Sequence, residues 1–135
     1  MRYLLDVSAL VALGFIEHEF HAAVRRWARK LSSENDEFAT CAITELGFVR
    51  ILSQVSQYGL TVSQAQALLI RLKNAGTVRF SFLPDDQDAS ALPSWVKTSN
   101  QITDGHLVQL AKANGAVLAT LDRNIPGAFL IPEST

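Results

Sequence analysis

The chain has 135 residues, 48% of them hydrophobic, and a formal net charge of −1. That length and apolar fraction suit one domain, residues 1–135, with a core of its own. A lone cysteine, Cys41, excludes an internal disulfide and makes a reducing cytoplasm the expected location; His18, His21 and His106 lack the partner cysteines of a zinc site.

Arg2 followed by apolar residues 4–16 loosely mimics a secretory leader, but Asp6 interrupts the apolar stretch and no small-x-small cleavage site follows. The start therefore reads as a buried strand over residues 2–5. No run approaches the roughly 18 apolar residues a membrane span needs, so the chain is expected to be soluble. Ser8 is placed to cap a helix over residues 9–13, and residues 19–31 carry Ala23, Val24, Trp27 and Leu31 at helical spacing, which puts Trp27 in the core.

A polar turn at 32–36 leads to a strand at 38–41, then a helix over 43–54 with Leu46, Val49 and Leu52 as its apolar set. Thr61 and Gln64 form a capping-box pattern for a helix that Gly76 stops. Residues 78–83 alternate as a third strand. Pro84, an Asp cluster and Pro93 mark a loop, with a short helix expected over 94–98. Thr103 is placed to cap a helix over 104–114, closed by Gly115; residues 116–121 form an apolar strand and 129–131 a last edge strand.

Apolar strands alternating with helices predict an α/β fold with a mainly parallel central sheet of four to five strands, flanked by helices on both faces. In such sheets ligands bind beyond the carboxyl ends of the strands, at the switch point of strand order. Asp6 and Asp122 both stand where a predicted strand ends.

Four acids, Asp6, Glu45, Asp104 and Asp122, lie in or beside apolar segments, where an unpaired carboxylate is costly. Each alone has a plain structural explanation: a helix cap for Asp104, strand-ending turns for Asp6 and Asp122, a solvent-facing Glu45. If all four converge, they require a shared cation, and an all-oxygen set suits Mg²⁺ or Mn²⁺. Setting these acids aside turns the remaining charge mildly basic. Arg25, Arg26, Arg29 and Lys30 cluster on one predicted helix, as a solvated face or a phosphate contact.

The segments Tyr3-Leu4-Leu5-Asp6-Val7-Ser8, Thr44-Glu45-Leu46-Gly47-Phe48, Ile102-Thr103-Asp104-Gly105-His106 and Leu118-Ala119-Thr120-Leu121-Asp122-Arg123 resemble, in order and spacing, the four acidic motifs of PIN domains. Compact single PIN domains of this size are similar to VapC toxins of type II toxin–antitoxin systems. The resemblance implies an Mg²⁺- or Mn²⁺-dependent endoribonuclease that hydrolyses RNA phosphodiesters in line, leaving 5′-phosphate and 3′-hydroxyl ends. It implies Asp6 and Asp104 as direct metal ligands, with Glu45 and Asp122 binding directly or through water. It also implies a cognate antitoxin and a homodimer, for which the apolar helix around 65–72 is suited.

Around that set, Ser8 either orients Asp6 or only caps a helix. Thr120 faces the same side as Asp122 and is expected to support it. Arg50 is a candidate partner for a cleft carboxylate or for RNA, or else forms a surface ion pair, and Arg123, beside Asp122, is a candidate phosphate contact. His21 and His106 read as packing or surface residues. Gly105 stands where many relatives carry a bulkier residue, which either opens the cleft or has little consequence. The alternatives are a PIN-domain RNA-processing nuclease without toxicity, or a catalytically silent PIN interaction domain; loss of an acid would mark the latter, and none is lost. No Gly-rich phosphate loop or receiver-like Asp–Lys pattern is present.

Overall fold

Leu4 and Leu5 are both fully buried yet enter different cores, because neighbouring residues of a strand point to opposite faces of the sheet. In the computed structural model, which describes residues 1–133, that strand is the centre of a five-stranded sheet. The elements in chain order are β1 (Arg2–Leu5), α1 (Val7–Gly14), α2 (His21–Ser33), β2 (Glu37–Thr40), α3 (Ala42–Gln54), α4 (Val62–Lys73), β3 (Arg79–Phe82), α5 (Ile102–Ala113), β4 (Val117–Thr120) and β5 (Phe129–Leu130).

The sheet order is β3-β2-β1-β4-β5, and every pairing is parallel. Leu4 sits opposite both Ala39 of β2 and Leu118 of β4. The chain winds outward from β1 to β3, then returns to build β4 and β5 on the other side of β1. The strand order therefore reverses between β1 and β4, which opens a crevice at their carboxyl ends. Helices α1 to α4 pack on one face around Leu10, Trp27, Phe48 and Leu52. Helix α5 covers the other face with Leu107, Leu110 and Ala111 against Leu4 and Leu118. Trp27 is 6% exposed and meets the Tyr3 ring edge-on at 5.1 Å.

Several local expectations are corrected. Asp6, not Ser8, caps α1: its backbone is extended and its side chain accepts the Ala9 N–H, so Ser8 lies inside the first turn. Helix α2 starts later than expected, at His21, leaving Glu19 in the preceding loop. Helix α5 begins at Ile102, so Thr103 is also within a first turn. No helix forms over 94–98; single 3-10 turns form at Ala89–Ala91 and Ser99–Gln101. Gln101 Oε1 accepts the N–H groups of Lys97 and Thr98, which satisfies those donors without a helix.

Helix α3 is rotated relative to the Leu46 pattern. Its buried set is Thr44, Gly47, Phe48 and Leu52, and Leu46 is 63% exposed. Gly47 decides this orientation: a Cβ there would stand 2.6 Å from Val7 Cγ2, so the helix approaches α1 by its glycine and drives Phe48 into the core. The capping box of α4 forms, with Thr61 and Gln64 exchanging side-chain and backbone bonds. Gly115 takes the left-handed backbone, φ 67°, that lets α5 turn directly into β4. Among the described residues no helix is long and apolar enough to cross a membrane.

Candidate active site

Because Leu5 pairs with Ala119, the next residue of each strand emerges side by side at the carboxyl edge of the sheet. Those residues are Asp6 and Thr120. Thr120 Oγ1 donates to Asp6 Oδ2 at 2.6 Å, while the Ala9 N–H donates to Asp6 Oδ1 at 2.8 Å. Thr120 Oγ1 also accepts the Asp122 N–H at 3.0 Å, so one hydroxyl ties the ends of β1 and β4 together. Each Asp6 oxygen then holds one donor and keeps acceptor capacity for a further partner.

A cleft of about 330 Å³ opens here, lined by Asp6, Ser8, Asp104, Thr120 and Asp122 together with His18, Glu19, Phe20, Leu121 and Ile125. Asp104 reaches it from the first turn of α5, where the helix dipole favours a negative charge. Asp122 Oδ1 accepts the Asn124 N–H at 2.8 Å. The four acids differ in burial. Asp6 is 7% exposed and buried, Asp104 and Glu45 are half-buried, and Asp122 is exposed.

Burial pushes the Asp6 carboxyl above its ordinary range. The bonds from Thr120 and Ala9 oppose that rise, and the charges of Asp104 and Asp122 add to it. Asp104 is raised in the same way, by burial and then by Asp122. Among the described residues none of the three aspartates forms an ion pair, and no Lys or Arg lines the cleft.

Glu45 stands apart from this trio. It follows β2 in the first turn of α3, accepts from Thr40 Oγ1 at 2.6 Å, and pairs with Lys73 Nζ at 2.6 Å. It is not among the residues lining the cleft. Thr40 and Lys73 carry no sequence signal for this role, since neither stands in a recognisable pattern with Glu45.

The remaining candidates fall outside the cleft. Arg50 is exposed, and Arg123 faces Glu133 at 3.4 Å. The basic cluster of α2 does not line the cleft. His106 Nε2 meets Asp85 Oδ2, tying the long loop to α5, and His21 Nδ1 bonds the Ala12 carbonyl at 2.8 Å. Gly105 does not open the cleft. It is buried against the loop, where a Cβ would fall 2.3 Å from Val96 Cγ2. His18 and Phe20 are cleft residues that the sequence pattern did not single out; their one signal is a position in the loop that follows the first acidic strand and helix.

Among the described residues no trio of His, Cys, Asp or Glu is close enough to close around one ion. Three aspartates nevertheless face one cleft with oxygen donors and no internal cation. That fits Mg²⁺, which binds through one or two carboxylates and keeps several waters, better than an ion needing a complete protein cage.

A parallel sheet of this order, with acids gathered where β1 and β4 end, is a fold shared with known proteins. The chain belongs to the PIN domain family, which it matches over residues 3–128. Among curated proteins it is 36% identical to ribonuclease VapC39 of Mycobacterium tuberculosis over 126 residues, covering 90% of this chain and 89% of the relative. It is 34% identical to ribonuclease VapC29 of the same organism, with 100% of both chains covered. The protein is thus a VapC-like PIN domain. Among solved structures, VapBC2 from Rickettsia felis bound to a promoter DNA fragment superposes with a TM-score of 0.63 at 17% identity, covering 96% of this chain and 97% of that one. PAE2754 from Pyrobaculum aerophilum gives 0.61 at 19% identity, covering 97% and 84%. At these identities the two structures share the fold.

Proposed function

We propose that the protein is a divalent-metal-dependent endoribonuclease and the toxin half of a toxin–antitoxin pair. The observation that carries this reading is the un-neutralised trio of Asp6, Asp104 and Asp122, delivered to one cleft by β1, α5 and the end of β4. Its relatives named as VapC ribonucleases support the reaction class.

Asp6 and Asp104 would hold the ion, Mg²⁺ or Mn²⁺, and Asp122 and Glu45 would act directly or through water. Bound there, the ion supplies charge stabilisation at the phosphoryl oxygens and a lowered pKa for attacking water. Thr120 fixes the Asp6 rotamer and the turn that presents Asp122. Ser8 offers a hydroxyl on the cleft wall. The cleft's own surface, lined among the described residues by Asp6, Asp104 and Asp122 with no Lys or Arg, repels a phosphodiester that no cation screens.

A separate antitoxin is the expected partner, by analogy with the VapBC2 structure. A homodimer is the expected assembly, because Ile43 and Leu46 of α3 and Ile70 of α4 are exposed. The site of action is the cytoplasm, in keeping with a free, buried Cys41.

The test is cleavage of RNA in Mg²⁺ or Mn²⁺ with end-group analysis for 5′-phosphates. Asp6→Asn and Asp104→Asn should abolish cleavage while retaining the wild-type circular dichroism spectrum; undiminished cleavage in either variant sinks the site. Expression in a bacterial host should arrest growth, and Asp6→Asn should not. Cleavage without arrest would move the protein to RNA processing.

A further inference from the structure

His18 is held in the loop between α1 and α2 by bonds that leave one ring nitrogen unused. Its N–H donates to the Phe15 carbonyl at 3.0 Å, and its own carbonyl accepts the His21 N–H at 3.0 Å. The Phe20 N–H donates to His18 Nδ1 at 3.1 Å. Nδ1 is therefore the acceptor nitrogen, and in the neutral ring the proton resides on Nε2. Among the described residues Nε2 has no hydrogen-bond partner, although His18 is half-buried and lines the cleft with Asp6, Asp104 and Asp122. Burial lowers the His18 pKa, with Glu19 opposing and His21 reinforcing, which favours the neutral ring.

A neutral donor has a specific advantage in this place. A lysine or arginine on the cleft wall would be captured by the aspartates and would compete with a metal ion for them. An imidazole N–H is not drawn to the carboxylates by a full charge and remains available to an incoming anion. With Nδ1 held by the Phe20 N–H, the ring has less freedom to lose when Nε2–H is used.

We propose that His18 is a substrate-contacting residue, donating Nε2–H to a non-bridging oxygen of the RNA phosphodiester in the cleft. This rests on reading the cleft as the nuclease site. A hydrogen bond to a charged oxygen lost on substitution corresponds to about a tenfold or greater loss of affinity.

The test uses the full chain and a labelled single-stranded RNA oligonucleotide, with binding read by fluorescence anisotropy in Ca²⁺ and cleavage read in Mn²⁺. His18→Ala should weaken RNA binding about tenfold and slow cleavage at least as much. His18→Asn, whose Oδ1 retains the bond from the Phe20 N–H, should keep the wild-type melting temperature and show the same loss. Mn²⁺ affinity by calorimetry should be unchanged in both. Wild-type RNA affinity in the Asn variant overturns the contact, as does a parallel fall in Mn²⁺ affinity. If wild-type protein binds RNA through His18 but cuts none, the nuclease reading fails and the contact stands. If it cuts and both variants cut equally, only the contact fails. Wild-type protein that neither binds nor cuts RNA overturns both.

Discussion

Lys73 Nζ lies 2.6 Å from Glu45 Oε2, and the hydroxyl of Thr40 donates to that same oxygen. An ammonium from the end of α4 thus occupies the second acidic motif. Both side chains are partly exposed, so the pair contributes at most about 1 kcal/mol to stability. Its larger consequence is competition with a metal ion. Lys73→Ala should tighten Mn²⁺ binding about threefold to tenfold by freeing Glu45, with the melting temperature nearly unchanged. The effect should vanish in the double variant with Glu45→Gln. An unchanged Mn²⁺ affinity in Lys73→Ala would put Glu45 outside the reach of the ion.

Thr120 is 1% exposed and serves Asp6 and Asp122 through one hydroxyl. Thr120→Val keeps the shape but strips a donor from a buried carboxylate and an acceptor from a backbone N–H. A stability loss of about 2 kcal/mol is expected in urea unfolding, and cleavage should fall at least about tenfold. Thr120→Ser keeps the hydroxyl and should recover most of both.

The raised pKa of Asp6 sets a pH dependence of known sign. The folded state holds this proton more tightly than the unfolded chain, so the group's favourable contribution is full below the ordinary value of 3.8. It is lost as pH rises through the folded pKa, and Asp104 acts in the same direction. Asp6→Asn should therefore raise the metal-free melting temperature at pH 7, with the gap closing as pH falls towards the ordinary carboxylate range. Asparagine can still cap α1 through its side-chain oxygen. Added Mg²⁺ should stabilise the wild type and not the variant.

At Gly105, helix propensity and packing oppose each other. Alanine gains about 1 kcal/mol in a helix interior, but its Cβ would stand 2.3 Å from Val96 Cγ2 and 3.4 Å from Pro93 Cδ. Valine cannot swing a β-branched methyl away cheaply. Overpacking of this kind costs about 1–3 kcal/mol, so Gly105→Ala should lower stability overall. Differential scanning calorimetry checks the sign; a higher melting temperature would show that the loop moves aside freely.

The apolar side chains left outside on α3 make oligomerisation testable. Leu46 is 63% exposed and Ile43 36%. Leu46→Glu should convert a dimer to a monomer in light scattering coupled to gel filtration, with cleavage by the monomer retained. A wild-type protein that is already monomeric at high concentration would remove this face from consideration.

The elements themselves were largely legible, because apolar periodicity, the Thr61–Gln64 box and the Gly115 stop are local signals. What misled was local chemistry with two solutions. Asp6 and Ser8 are both good caps, and the strand pairing that fixes Asp6 beside Thr120 decided between them. Leu46 and Phe48 offer two apolar faces for one helix, and the close approach of Gly47 to Val7 selected the second. Lys97 and Thr98 were expected to close a short helix over 94–98, but the side-chain amide of Gln101, three to four residues on, took their donors.

By itself the sequence determined an α/β chain with acids at the ends of β1 and β4 and at the start of α3 and α5. Each of those placements follows from residues a few positions apart. Only the tertiary structure decided which acids share a cleft: β4 beside β1, with α5 over them, gathers Asp6, Asp122 and Asp104, whereas Glu45, after β2 on the other side of β1, meets Lys73 from α4. It also brought His18 to the cleft wall from a loop with no pattern of its own. Charge interactions act through space and fall off with distance, so the partners of a carboxylate are a property of the fold.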